Sequence, residues 1–214
     1  MIDWGLVLFP LVHVPINSGQ VTSTTSDGEV EWCSPKRVQA TGSFEKKVSI
    51  KSVGGTGTGL ATHLWVNGNP SKFLQGHNVF GSDDIVSLMS DLFDVIAKQF
   101  DLKPSLDELH RIRTGNYELK IVDINYSYNL PCQSDVKAFI RALEFKAKTR
   151  HGRPSTKGGT LYFGKNSKRW AIKFYSKSEE IKTTTGRLPH NLQRIGIEDW
   201  VENKLRIELR LLSK

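Results

Sequence analysis

With 214 residues, 38% of them hydrophobic, the chain is long enough for one large domain or two small ones and for a real core. No run approaches the ~20 apolar residues that a membrane helix needs, and the apolar start carries Asp3 where a secretory signal would carry Lys or Arg, so a cytoplasmic protein is expected. The 30 Lys and Arg against 22 Asp and Glu leave a net charge of +8, which favours a polyanionic partner, while Cys33 and Cys132 make neither a metal pattern nor a disulfide framework.

The first 68 residues read as β-rich. Leu6 to Val14 is an apolar strand, Ser43 to Ser52 alternates with Phe44, Val48 and Ile50 against lysines, and Thr62 to Val66 is a third strand. Gly54, Gly55, Gly57 and Gly59 make a turn between the last two, without the Gly-Lys-Ser/Thr ending of a phosphate loop. Ser82 is the expected cap of a helix with Asp83 and Asp84 in its first turn. Ile85, Leu88, Met89, Leu92, Phe93, Ile96 and Phe100 then follow at helical spacing. Tyr117 to Tyr128 predicts a long strand. A second amphipathic helix starts near Ser134, with Val136, Phe139, Ile140, Leu143 and Ala147 on one face. After a loop from Arg150 to Gly159, Thr160 to Phe163 and Arg169 to Phe174 predict a hairpin around Gly164-Lys165-Asn166-Ser167. A short helical piece follows Tyr175, and Lys204 to Leu212 is the last strand. This order predicts an α+β fold: an antiparallel sheet with helices packed on one face and the other face open for a ligand. Residues 1–60 are expected to extend the sheet of a core over 61–214, all in a single domain.

Polar positions interrupt three of these strands. Asp123 shares a face with Tyr117, Leu119 and Ile121 and precedes Asn125; a carboxylate in line with apolar residues is costly to bury unpaired, so it is half of an ion pair or part of a site. In the last strand Leu205, Ile207, Leu209 and Leu211 point one way, and Lys204, Arg206, Glu208 and Arg210 the other, which is also the pattern of a solvated face. In the hairpin Trp170, Ile172 and Phe174 oppose Arg169, Ala171, Lys173 and Tyr175, so Tyr175 is a structural strand end or a presented phenol. Phosphodiester transfer through tyrosine needs an activated phenol, of ordinary pKa ~10. It also needs a divalent cation on oxygen or imidazole ligands and a fixed positive charge near phosphorus. Tyr175, then Asp123, Glu208 and His77, then Lys177 or Lys173 are candidates for these parts. A lone histidine such as His77 is more often a surface or capping residue than a ligand. His13, His63, His110, His151 and His190 form no zinc-hydrolase pattern. Cations cluster from Lys146 to Lys182 with Tyr162, Phe163, Trp170, Phe174 and Tyr175 between them, as single-stranded nucleic acid requires, or as a basic surface over core aromatics would show.

Five segments occur together: Met1-Ile2-Asp3; Asn69 to Gly81 with Leu74-Gln75-Gly76-His77-Asn78-Val79-Phe80-Gly81; Val122-Asp123-Ile124; Tyr175-Ser176-Lys177 with Glu180; and Leu205-Arg206-Ile207-Glu208-Leu209-Arg210. On these the chain resembles, over nearly its whole length, the gene II/X replication initiators of filamentous phages. The resemblance implies a nicking and strand-closing enzyme that starts rolling-circle replication at the phage plus-strand origin. Tyr175 would be the nucleophile, forming a 5′-phosphotyrosine and releasing a 3′-hydroxyl, with Lys177 beside it. Asp123, Glu208 and His77 would hold Mg²⁺ or Mn²⁺. Lys72, Gln75, Asn78, Lys165, Lys168, Arg169 and Lys173 are the expected DNA contacts. The implied fold is that of the His-hydrophobic-His rolling-circle endonucleases, ferredoxin- or RRM-like, although the paired histidines are absent from this sequence. The bacterial host cytoplasm, host replication proteins as further partners and no membrane complete the expectation. Full-length initiators of this kind run longer, so the chain is read as an N-terminal catalytic portion. The alternative is a non-catalytic, single-stranded DNA-binding replication regulator; a nucleotide-binding enzyme lacks its phosphate loop.

Overall fold

The structure, a computed structural model, describes residues 1–16, 19–150, 152–182, 190–193 and 196–213; His151 falls outside them. The strands are β1 (Ile2–His13), β2 (Gln20–Thr24), β3 (Val30–Pro35), β4 (Val38–Thr41), β5 (Lys47–Val53), β6 (Ala61–Gly68), β7 (Glu118–Asn129), β8 (Ser155–Lys157), β9 (Thr160–Phe163), β10 (Trp170–Ser176) and β11 (Lys204–Leu212). The helices are α1 (Pro70–Gln75), α2 (Ile85–Gln99), α3 (Leu106–Arg113), α4 (Gln133–Lys146), α5 (Lys177–Ile181), α6 (His190–Gln193) and α7 (Glu198–Val201). The fold is mixed α+β, and the pairings described below are antiparallel, as the hairpin-rich sequence predicts. Among the described residues no helix is long and apolar enough to cross a membrane.

The chain divides into two compact units, one of Trp4–Asn78 and Ser82–Lys120, the other of Met1–Asp3, Val79–Gly81 and Ile121–Lys214. In the first, strands run in the order β4-β5-β6-β1. The glycine-rich turn joins β5 to β6 as expected. Met89, Leu92, Phe93 and Ile96 of α2 are buried against Val7, Phe9 and Leu11 of β1 and against Leu64 and Val66 of β6. The Phe9 and Phe93 rings meet edge to face at 5.2 Å. The cap of α2 is Asp84 rather than Ser82: the Asp84 carboxylate accepts from the backbone N–H groups of Val86 and Ser87, and Ser82 Oγ accepts from Asp84 N–H. The strand expected from Ser43 starts only at Lys47, because Ser43–Glu45 is a 3-10 turn in which Phe44 has φ 50°. Its ring leaves the alternation and lies against Gly76, where an added Cβ would approach it to 2.3 Å. The β2–β3 hairpin and α3 escape the sequence reading because they bury little: both strands are largely exposed, and Ile112 is the one buried residue of α3.

In the second unit the order is β7-β11-β10-β9-β8. One face is apolar. Leu205, Leu161 and Phe163 pack there against Val136 and Ile140 of α4, with Ile172 and Phe174 alongside. The hairpin, α4, the helical piece after Tyr175 and the last strand all appear where the sequence predicts them. The opposite face carries the polar residues. It is not open along its whole length, as expected, but closed at one end: α5 packs on β10 and β11, and Val79, Ile181, Leu192, Ile197 and Val201 form a small apolar cluster.

Candidate active site on the polar sheet face

Burial along β7 runs opposite to the usual alternation. Asp123 and Asn125 are 2% and 3% exposed, whereas Ile124 and Tyr126 between and beside them are 39% and 64% exposed. The polar residues are therefore the inward ones, and register explains what they meet. Across β8, β9, β10, β11 and β7, Ser155 pairs with Tyr162, Tyr162 with Lys173, Lys173 with Glu208, and Glu208 with Asn125. Directly paired residues share a face, so these side chains form one row. Arg210 pairs with Asp123, and Tyr175 with Arg206, in the adjoining rows.

The row is held by ion pairs. Arg210 donates two hydrogen bonds to the Asp123 carboxylate, at 2.7 and 2.6 Å, a fork-to-fork geometry that guanidinium alone provides. Lys173 donates to Glu208 Oε1 and stands 3.9 Å from Asp123 Oδ2, so one ammonium lies between two carboxylates. The Tyr175 hydroxyl donates to Glu208 Oε2 at 3.3 Å. Arg206, fully buried, donates from Nε to Ser127 Oγ at 2.9 Å and from Nη2 to the Val79 carbonyl at 2.6 Å. Met1 and Asn125 exchange backbone hydrogen bonds of 2.8 and 2.9 Å, and continuing that antiparallel register sets Asp3 across from Asp123.

Burial controls the acidities. It raises the Glu208 carboxyl above the usual carboxylate range, with Lys173 pulling the other way. Burial, followed by the Glu208 and Glu180 carboxylates, pushes the Tyr175 phenol well above its ordinary value. The phenol is thus protonated and donating. Lys177 is completely buried; desolvation pulls its ammonium down to about 8, against the opposing pull of Glu180, to which it donates at 2.5 Å.

The structure brings together Asp123, Glu208, Lys173 and Tyr175 of the sequence-derived set. Lys177 is adjacent in the chain, but its charge is turned to Glu180. Lys173, expected at the DNA, is engaged by the two acids. Lys165, Lys168 and Arg169 are exposed on the β9–β10 turn. His77, Lys72, Gln75 and Asn78 lie in the unit of Trp4–Asn78 and Ser82–Lys120. There Asn69 caps α1 by accepting from Lys72 N–H, Gly76 ends it with φ 86°, and Gln75 Nε2 lies 3.4 Å from His77 Nδ1. Sequence reasoning did not assign Asp3, Arg206, Arg210 or Asn125. Inward polar positions on strands β7 and β11 were the signal for Asn125, Arg206 and Arg210, and the acid at the third residue of the chain, within an apolar first strand, was the signal for Asp3.

Among the described residues no group of three or more His, Cys, Asp and Glu stands close enough to hold a metal ion. The donor chemistry of Asp123 and Glu208 nonetheless suits a hard divalent cation, and the Lys173 ammonium between them shows that positive charge is stabilised at that point.

The family model for the N-terminal part of the phage replication-associated protein, the gene II product, matches residues 1–214. The replication-associated protein of Enterobacteria phage I2-2 is 49% identical over 214 residues, which is 99% of this chain and 62% of that protein. The chain thus spans less than two thirds of the length of the curated relative it matches.

Proposed function

Because the chain belongs to the family of phage replication-associated protein N-terminal regions, we propose that it nicks and reseals one DNA strand through Tyr175 and so starts rolling-circle replication of a filamentous phage genome. The observation that carries the chemistry is the hydrogen bond from the Tyr175 hydroxyl to Glu208 within the row of acids and cations. Glu208 Oε2 takes the phenolic proton, a task for which a raised carboxyl pKa suits it. The phenolic oxygen attacks the scissile phosphorus. A P–O bond forms to tyrosine, the P–O3′ bond breaks, and the 3′-oxygen leaves as a hydroxyl after protonation. Resealing is the reverse: the 3′-hydroxyl attacks the phosphotyrosine, and the phenol departs. The Asn125 amide nitrogen, buried and without an acceptor among the described residues, would donate to a phosphate oxygen.

Mg²⁺ or Mn²⁺, for which Asp123 and Glu208 are the carboxylate donors at hand, would supply polarisation of the phosphate. The exposed cations of the β9–β10 turn would neutralise the DNA backbone near the origin. The fold analogy is to the His-hydrophobic-His endonucleases, whose paired histidines this sequence lacks. The proposed setting is the bacterial host cytoplasm, where host replication proteins extend the released 3′-hydroxyl.

A second reading, a non-catalytic DNA-binding regulator, is favoured by one observation: Tyr175 is buried and its acidity suppressed. Incubation of labelled single-stranded origin DNA with Mn²⁺ or Mg²⁺ separates the two. The native chain is expected to give a covalent protein–DNA adduct, and Tyr175→Phe, which keeps the ring, to bind DNA without forming any. DNA binding by the native chain with no adduct would support the regulator; an adduct in Tyr175→Phe would remove Tyr175 as nucleophile.

A further inference from the structure

A cleft of about 560 Å³ opens at the hairpin end of the second unit, lined by Arg153, Ser155, Tyr162, Lys165, Asn166 and Trp170 among others. Its volume is that of a small-ligand site. Two of its residues belong to the row that holds the acids: Ser155 pairs with Tyr162, and Tyr162 with Lys173, which pairs with Glu208. With strands spaced ~4.8 Å apart, Tyr162 stands two strands, roughly 10 Å, from Glu208 on the same face. Exposure falls along the row from Ser155, which is exposed, through the half-buried Tyr162, to Glu208, which is buried. Ser155 and Tyr162 thus bring the exposed end of the row to the cleft, Trp170 reaches it from the apolar face, and the buried end of the row is Glu208 and Asn125, with the Tyr175 hydroxyl bonded to Glu208.

The cleft combines stacking surface with exposed positive charge. Lys165 Nζ lies over the Tyr162 ring at 5.4 Å from its centroid, so a cation already occupies the face of that ring. Lys165 and Arg153 are exposed and can turn towards phosphate. Trp170 forms a fixed wall: its ring packs on Gly164, where φ is 65° and an added Cβ would lie 2.8 Å from the ring. The turn is set by Ser167, whose Oγ accepts from Arg169 and Trp170 N–H and whose own N–H donates to the Gly164 carbonyl. Asn166 and Ser155 supply donors and acceptors at the rim.

We propose that this cleft binds one unpaired nucleotide of the DNA strand, its base on the Tyr162 ring and its phosphate on Lys165 and Arg153, and so leads the scissile phosphate along the row towards Tyr175. Only unpaired bases offer a ring face to an aromatic side chain. The proposal rests on the nicking reading for the direction of the strand, but the binding itself does not.

The test uses the full chain and an oligothymidylate of about fifteen nucleotides carrying one central 2-aminopurine, compared with its duplex form. Tyr162→Ala is expected to weaken single-strand binding about tenfold or more, since stacking on an aromatic is usually worth that much. It also removes the change in 2-aminopurine fluorescence, whereas Tyr162→Phe keeps both. Arg153→Ala, an exposed change, is expected to weaken binding several-fold and serves if Tyr162→Ala does not fold by circular dichroism. Unchanged affinity in Tyr162→Ala and Arg153→Ala, tighter binding to the duplex, or no single-strand binding by the native chain overturns the cleft. Adduct formation by the native chain with Tyr162-independent binding overturns the cleft alone. Tyr162-dependent binding of the oligothymidylate with no adduct on labelled origin DNA overturns the nicking reading and leaves the cleft standing.

Discussion

Lys177 illustrates how placement changes a residue whose sequence context suggests only a nearby positive charge. The side chain is completely buried, and desolvation outweighs the attraction of Glu180, lowering the ammonium from its usual 10.5 to about 8. Below pH 8 folded and unfolded chains both carry this proton, and the cost of burying the charge is present in full. Between pH 8 and 10 the unfolded chain still holds a proton that the folded chain has released, so this group makes stability rise with pH. Tyr175 acts oppositely above its ordinary pKa near 10, where the unfolded phenol ionises and the folded one does not. Lys177→Met isolates the first effect. Urea unfolding at pH 7.5, 8.5 and 9.5 is expected to show the variant's advantage over the native chain shrinking as pH rises; parallel curves would mean that Lys177 is not desolvated. Tyr175 and the alternation of Lys173 with it are legible because a strand's two faces are a local property. What Asp3 faces is not, since a carboxylate near a chain terminus acquires meaning only when a distant strand lies beside it.

Among the elements, α1 and β7 show the two ways in which a motif can mislead or inform. The Gln75-Gly76-His77-Asn78 segment reads as a functional signature, but part of it is a folding signal. Asn69 caps α1, and Gly76 ends it in the left-handed region, where the Phe44 ring leaves no room for a Cβ. Gly76→Ala is expected to destabilise the chain by about 1–3 kcal/mol, from backbone strain and the displaced ring. Chemical denaturation would show this, and a loss below about 0.5 kcal/mol would mean that the turn adapts. β7 is the converse case. Its inward positions are Asp123 and Asn125 and its outward ones include Tyr126 and Tyr128, against the rule that apolar residues turn inward. The buried acid is matched by the bidentate Arg210, which is the ion pair that its place in line with apolar residues predicts. The boundaries of α2 and β5 differ from those expected by a few residues because Ser82 and Phe44 satisfy a pattern that their backbone does not follow.

For the whole molecule, the net charge of +8 is less informative than its division between cations held by carboxylates and cations on the surface. Lys173, Lys177 and Arg210 are matched to carboxylates, whereas Arg153, Lys165, Lys168 and Arg169 are exposed near the hairpin end. If these four exposed cations meet phosphates, log K for single-stranded DNA should fall against log salt with a slope of about −3, since each contact on a single strand contributes roughly −0.7. Fluorescence anisotropy across a salt series measures this, and Lys168→Ala should make the slope shallower by about 0.7. Salt-independent binding would exclude this surface as the DNA contact. By itself the sequence determined the helices α2 and α4, the strands of the hairpin and of β7 and β11, the two faces of each strand and the family, because periodicity, turn residues and motif order are carried by neighbouring residues. Only the tertiary structure decided that Arg206, Glu208 and Lys177 are buried rather than solvated, that Asp3 stands across from Asp123, and that the row containing Glu208 and Lys173 reaches a cleft at Tyr162. Desolvation and Coulomb attraction depend on distance in space, and strand register alone sets those distances for residues far apart in the chain.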